Sequence, residues 1–330
     1  MQQKPGSQPA FSRDTNPFQH GQANRMLQVA KSDRDEMQKE AKSEIVRLAE
    51  AVEGLTTAFS RANPAVEASD QPLLPANAAA FIYDVTLGTL RAVERVSAPP
   101  LDLLHGIDRT KATLLENTVR FAAGHSANNA LLWGARGMGK STLVKSVHGH
   151  LAAESDNPPV LIEIHREDIS SLPSLLQLVR DWDRSCILFC DDLSFNRPDQ
   201  DFKALKSVLE GGLEGRPDNV IFYATSNRRH MLPRQMIDQE GATGIHPNEA
   251  MDETIALSDR FGLWLGFHPC DQADYLTIID GYLAAFNLSP ADDWRTSALN
   301  WSKTRGNRSG RTAWQFVQNL AGKLGKKVRF

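Results

Sequence analysis

The spacing of apolar residues changes character along the chain. Between Ser32 and Ala62, the residues Ala41, Ile45, Leu48, Val52, Leu55 and Phe59 recur at intervals of four and three, with charged residues between them. That is a coiled-coil-like seam on a single helix, and its partner is either another copy of the chain or the body of the protein. Residues 1–31 are polar and contain Pro5, Pro9 and Pro17, which predicts disorder. Pro64, Pro72 and Pro75 mark residues 63–78 as a linker, and a further helix is expected over Ala79–Val96 before Pro99 and Pro100.

From Leu101 the pattern becomes an alternation of short apolar runs with helix-compatible stretches. Strands are expected at Asn129–Trp133, Val160–Ile164, Cys186–Cys190, Val220–Thr225 and Leu263–Phe267. Runs so continuously apolar suit strands covered on both faces, and their alternation with helices predicts an α/β fold with a parallel sheet. After His268-Pro269 the alternation stops, and helices are expected at Gln272–Ala285, Trp294–Thr304 and Thr312–Leu324. The chain therefore reads as an N-terminal extension (1–100), an α/β core (101–269) and a small helical unit (270–330).

Composition narrows the class without choosing a function. A hydrophobic fraction of 41% is ordinary for a globular protein, and a net charge of -3 supplies no general attraction to nucleic acid or to an anionic membrane. No apolar run approaches the roughly 20 residues of a membrane helix, and the polar N-terminus lacks a signal peptide's apolar stretch, so a cytoplasmic protein is expected. Cys186 and Cys190 share one expected strand about 13 Å apart, beyond disulfide reach. They read as buried thiols in a reducing compartment. His148 and His150 lie two apart on a helix and diverge, which suits packing or solvent-facing roles.

The most specific chemistry lies between the first expected strand and a helical stretch, Thr142–Leu151. Gly134-Ala135-Arg136-Gly137-Met138-Gly139-Lys140-Ser141 fits the phosphate-loop pattern, followed by Thr142. Its glycines let backbone amides turn around a phosphate, at the positive end of the following helix. Lys140 would hold the β and γ phosphates and Ser141 would give its hydroxyl to Mg²⁺, so a nucleoside triphosphate is the expected ligand.

Two further strand ends carry matching groups. Phe189-Cys190-Asp191-Asp192 delivers carboxylates from an apolar strand: Asp191 for the metal beside Ser141, then Asp192 to orient or deprotonate the attacking water. Two aspartates that merely end a strand and open a turn are the plainer reading. Asn227, after Ala224-Thr225-Ser226, is placed to hydrogen-bond the γ phosphate or that water. Arg260 either reaches a neighbouring subunit's phosphate or makes an intramolecular salt bridge. Arg305, Arg308 and Arg311 lead into the last helix, and at least one could face the nucleotide.

The order of phosphate loop, Asp191-Asp192, Asn227, Arg260 and Arg311, followed by helices, resembles the AAA+ ATPases: Walker A, Walker B, first sensor, arginine finger, second sensor and lid. More closely, Leu101 to about Gly322 resembles an uncharacterised bacterial ATP-binding family catalogued as a domain of unknown function (family 815). The segments carrying this likeness are Leu103–Arg109, Leu114–Thr118, Trp133–Gly137, Phe189–Phe195, Leu205–Gly212, Ala224–His230 and Leu257–Trp264. The resemblance implies a five-stranded parallel core in the order 5-1-4-3-2, ATP between core and lid, and Gly106 with Ile107 near the adenine. It also implies Arg260 acting in trans, and hence a homo-oligomer. The second Walker B acid is usually Glu, and here the shorter Asp192 stands in its place.

The expected function is Mg²⁺-dependent ATP hydrolysis coupled to remodelling or loading of an unidentified macromolecule. The alternative is an ATP-dependent binding switch with little hydrolysis, which the short Asp192 favours; a small-molecule phosphotransferase ranks below both. Arg228, Arg229 and Arg234 with Gln235–Asp252 form a candidate nucleic-acid surface, although such a charge run is ordinarily a solvated face and nothing else supports nucleic acid.

Overall fold

A computed structural model of the 330-residue chain describes residues 42–44, 46–48, 51, 54, 78–195, 200–210, 216–229 and 257–330. The chain divides into two units, Met1–Leu73 and Leu74–Phe330. The described residues of the first unit are helical and exposed. The other seam positions, Ala41, Ile45, Val52, Leu55 and Phe59, and the prolines of the expected linker lie outside the described residues.

The second unit is built on β1 (Ala80–Asp84), β2 (Thr89–Val93), β3 (Ala130–Gly134), β4 (Val160–Glu163), β5 (Cys186–Cys190), β6 (Val220–Ser226) and β7 (Leu263–Phe267). They form one mixed sheet in the order β2-β1-β4-β5-β6-β3-β7, in which β1 and β2 pair antiparallel and the other pairings are parallel. Counted from the loop-bearing β3, the five strands from β3 onward lie as fifth, first, fourth, third and second. The sheet thus has seven strands where five were expected, because Ala79–Val96 is a hairpin and not a helix. Phe81, Ile82 and Tyr83 are strand-favouring residues. The Asp84 carboxylate accepts from the Thr86 and Leu87 amides (3.0 and 3.2 Å) to close the turn. β1 then pairs with β4, so these residues belong to the same sheet as the rest of the core.

Successive residues of the central strands point to opposite faces. Val220, Phe222 and Ala224 of β6 pack in a layer with α3 (Leu172–Val179) and α4 (Gln200–Glu210), whereas Ile221 and Tyr223 join α1 (Asp108–Ala122) and α2 (Lys140–Glu154). Coverage on both faces accounts for the continuous apolar reading of these strands. One polar knot is buried within the second layer. Asn117 Nδ2 donates to the Asn128 carbonyl and to Tyr223 Oη (2.9 and 3.0 Å), and the Asn128 amide donates back to Asn117 Oδ1 (3.0 Å). This ties α1 to the loop entering β3 and to β6. On the same side, buried His148 lies with Nε2 3.0 Å from the Ala79 carbonyl, and burial lowers its pKa; His150 instead pairs with Glu154.

Three further helices follow β7: α5 (Gln272–Ala285), α6 (Trp294–Thr304) and α7 (Gly310–Lys323). They share a core that includes Tyr275, Ile279, Ala298, Ala313 and Val317. The last helix starts before the expected Thr312 because the Ser309 hydroxyl caps it, accepting from the Thr312 amide at 3.2 Å. Trp314, Tyr282 and Phe330 cluster against one another beside this core, with Trp314 and Phe330 ring centroids 4.6 Å apart.

Candidate nucleotide site

The loop from Gly134 to Gly139 begins where β3 cannot carry a side chain. Gly134 has φ +135 and lies opposite Phe267 of β7, where a Cβ would meet the Phe267 carbonyl, with the carbonyl carbon only 2.9 Å away. Gly137, at φ +77, packs beneath the start of α7: its carbonyl accepts from the Arg311 amide at 3.1 Å, and a Cβ there would lie 3.0 Å from Ser309 Oγ. The loop is therefore clamped between the sheet and the C-terminal helices.

Lys140, the first residue of α2, is buried at 6% exposure, and its ammonium donates to the carbonyls of Gly134 and Ala135 (2.9 Å each) and to Asn227 Oδ1 (3.0 Å). Burial lowers its pKa, against the opposing pull of Asp191 and Asp192. The three ammonium donors are thus occupied, two by loop carbonyls and one by Asn227.

The acid pair sits where β5 ends. Ser141 Oγ and Thr225 Oγ1 both donate to Asp191 Oδ1. Asp192 has φ +54, and Asn227 Nδ2 donates to its Oδ1. Asn227 thereby touches Lys140 through its oxygen and Asp192 through its nitrogen, joining the phosphate-loop lysine to the second acid.

These groups open on one cleft of about 1230 Å³, lined among others by Arg136–Thr142, Asp191, Asp192, Asn227, Gly106, Ile107 and Arg311. Of the three C-terminal arginines, Arg311 alone lines it. The Arg305 guanidinium lies 3.5 Å from the Trp301 ring centroid, and Arg308 is exposed near Cys270. Arg260 is not among the lining residues and pairs with Glu210 at the end of α4, the intramolecular arrangement. Arg229 is stacked over Trp133 at 5.2 Å, while His230, Arg234 and Gln235–Asp252 lie outside the described residues.

Sequence reasoning assigned no role to two groups here. Thr225 is buried between the acids, and its only local signal was a polar side chain ending an apolar strand. Asp274, Ile278, Tyr282 and Trp314 line the cleft from the C-terminal helices, where they read as ordinary amphipathic positions.

Oxygen donors suit a small hard cation. The contact between Ser141 Oγ and Asp191 Oδ1 brings a hydroxyl and a carboxylate together at the loop, and among the described residues no group of three or more His, Cys, Asp or Glu is arranged to hold a metal ion by itself. That set fits Mg²⁺, which is typically held by one or two carboxylates and completed by phosphate and water. No helix among the described residues is long and apolar enough to cross a membrane.

Among solved structures, the chain is similar to the RuvB Holliday junction branch migration motor of Thermotoga maritima, at 14% identity over 70% of this chain and 68% of that one, with a TM-score of 0.47. It is similar to the Aeropyrum pernix ORC1 protein solved with DNA (14% identity, 71% and 67% covered, TM-score 0.47). A third is domain III of the replication initiation protein DnaA from Thermotoga maritima (14%, 69% and 91%, TM-score 0.45). No curated protein matches the sequence. Residues 76–324, most of the chain, match the family described as "Protein of unknown function (DUF815)", and the chain belongs to that family.

Proposed function

We propose that this protein binds ATP with Mg²⁺ in the cleft between the sheet and the C-terminal helices and hydrolyses it, as an AAA+ ATPase acting on a macromolecular client. The observation carrying this reading is that Lys140, Ser141, Asp191, Asp192 and Asn227, linked by hydrogen bonds, line a single cleft that Arg311, Gly106 and Ile107 also line. In this reading, loop amides and Lys140 bind the phosphates, exchanging the Gly134 and Ala135 carbonyls for phosphate oxygens. Ser141 and Asp191 hold Mg²⁺, which neutralises developing charge when bound. Asp192 orients the attacking water and accepts its proton, steadied by Asn227, and Arg311 faces the phosphates from α7. Arg260 acts on the nucleotide of a neighbouring copy, which requires it to leave Glu210 on assembly.

The test is ATP binding followed by Trp133 fluorescence, since Trp133 lines the cleft, together with phosphate release with Mg²⁺ and with Mg²⁺ chelated. Saturable binding with Mg²⁺-dependent release supports the reading. A second reading, a binding switch with little hydrolysis, is favoured by the short side chain of Asp192, and it predicts the same binding with background release.

A further inference from the structure

We propose that Thr225 is a positioning residue, whose buried hydroxyl holds the Asp192 main chain in its left-handed conformation and so aims the shorter acid. Thr225 is 1% exposed, and its hydroxyl is engaged on both sides: it accepts from the Asp192 amide at 2.9 Å and donates to Asp191 Oδ1. Its main-chain carbonyl accepts from the next amide, that of Leu193, at 2.7 Å. One residue of β6 therefore fixes two successive amides of the turn leaving β5, the first through its side chain and the second through its backbone.

The need for such a hold comes from Asp192 itself. Asp192 and Asn287 are the two non-glycine residues with positive φ among those described, a conformation in which the Cβ crowds the backbone. An aspartate has one methylene fewer than glutamate with which to reach a water. With its main chain turned to φ +54, its carboxylate meets Asn227 Nδ2, which donates to it. Without the Thr225 hydroxyl the Asp192 amide would lose its closest acceptor, keeping only the 3.1 Å contact to Asp191 Oδ1, which weakens the hold on φ from the amide side. The inference rests on the ATPase reading for its consequence, but the hold itself is a property of the folded chain.

Thr225→Val keeps the shape and removes both hydroxyl contacts; Thr225→Ser keeps them. In Thr225→Val, amide hydrogen exchange at Asp192 should quicken at least about tenfold, while Leu193, bonded to the unchanged main-chain carbonyl, stays within about threefold. A misplacement of about 1 Å at a reacting centre costs on the order of a hundredfold, so kcat should fall by roughly that factor with ATP affinity nearly unchanged. Thr225→Ser should restore both readouts, and Thr225→Val should add no loss in an Asp192→Asn background. Unchanged exchange at Asp192, equal deprotection of Leu193, or no rescue by serine would each overturn the proposal. The exchange arm needs no turnover: a wild-type protein without hydrolysis overturns the ATPase reading, while selective deprotection of Asp192 still supports the hold by Thr225.

Discussion

Gly134→Ala places a methyl group where the phosphate loop leaves the sheet. At φ +135 the new Cβ would press on the Phe267 main chain, whose carbonyl carbon and amide nitrogen lie 2.9 and 3.0 Å from it. Both are backbone atoms of the paired strand, so no side chain can swing away. The backbone itself must shift, disturbing the Gly134–Phe267 pairing and the Ala135 amide's bond to the Phe267 carbonyl. Forcing an alanine into this region costs about 1–3 kcal/mol, and overpacking against fixed backbone roughly as much again, for a total of about 2–6 kcal/mol. At roughly 2–4 °C per kcal/mol for a unit of this size, the melting temperature should drop by about 4–24 °C. Gly149→Ala is the control: it lies inside α2 with nothing within 4 Å of a new Cβ, and it should stabilise by about 0.5–1 kcal/mol. Thermal unfolding of both variants by circular dichroism checks the reasoning, and equal, small shifts for Gly134→Ala and Gly149→Ala would refute it.

Lys140→Ala should weaken ATP binding by roughly thirtyfold to several thousandfold, the effect of losing a charged contact worth about 2–5 kcal/mol, with the fold retained because no core side chain is touched; unchanged affinity by titration would reject the phosphate assignment. Arg260→Ala should keep ATP affinity and lower turnover by about 10³ to 10⁵, with partial recovery on mixing with Lys140→Ala protein. Absence of recovery in samples shown to co-assemble would leave Arg260 its Glu210 salt bridge alone. Burial pushes the Cys186 and Cys270 thiols up to about 12 and raises Cys190 further, so at pH 8 the thiolate is about one part in ten thousand or less. Cys186 and Cys190, both fully buried, should resist a thiol reagent until the protein unfolds, and rapid labelling of either in the native protein would contradict that burial.

The strands β3 to β7 were legible because each is a short run that is apolar for most of its length, and β5 and β7 begin and end at the residues the pattern suggests. The hairpin of β1 and β2 was not. Its alternation is interrupted by an exposed turn, and the alanines at 78–80 read as helix until pairing with β4 decides otherwise. In the site, the phosphate loop and the acid pair could be found from neighbouring residues alone. Thr225 could not, because its proximity to Asp191 and Asp192 depends on the β5–β6 register, in which Cys190 pairs with Ala224. The choice of Arg311 over Arg308 likewise depends on the bond from the Arg311 amide to the Gly137 carbonyl, a contact between segments distant in sequence.

The central claim, that Asp192 makes this cleft a working ATPase, is tested most directly by single-turnover hydrolysis on wild-type, Asp192→Asn and Asp192→Glu proteins, with and without Mg²⁺. The account predicts a wild-type rate that depends on Mg²⁺ and lies well above both background and the Asn variant, which should retain bound ATP, while the Glu variant departs from wild type in one direction or the other. Three indistinguishable rates in folded, ATP-bound protein would contradict it and leave a nucleotide-binding switch.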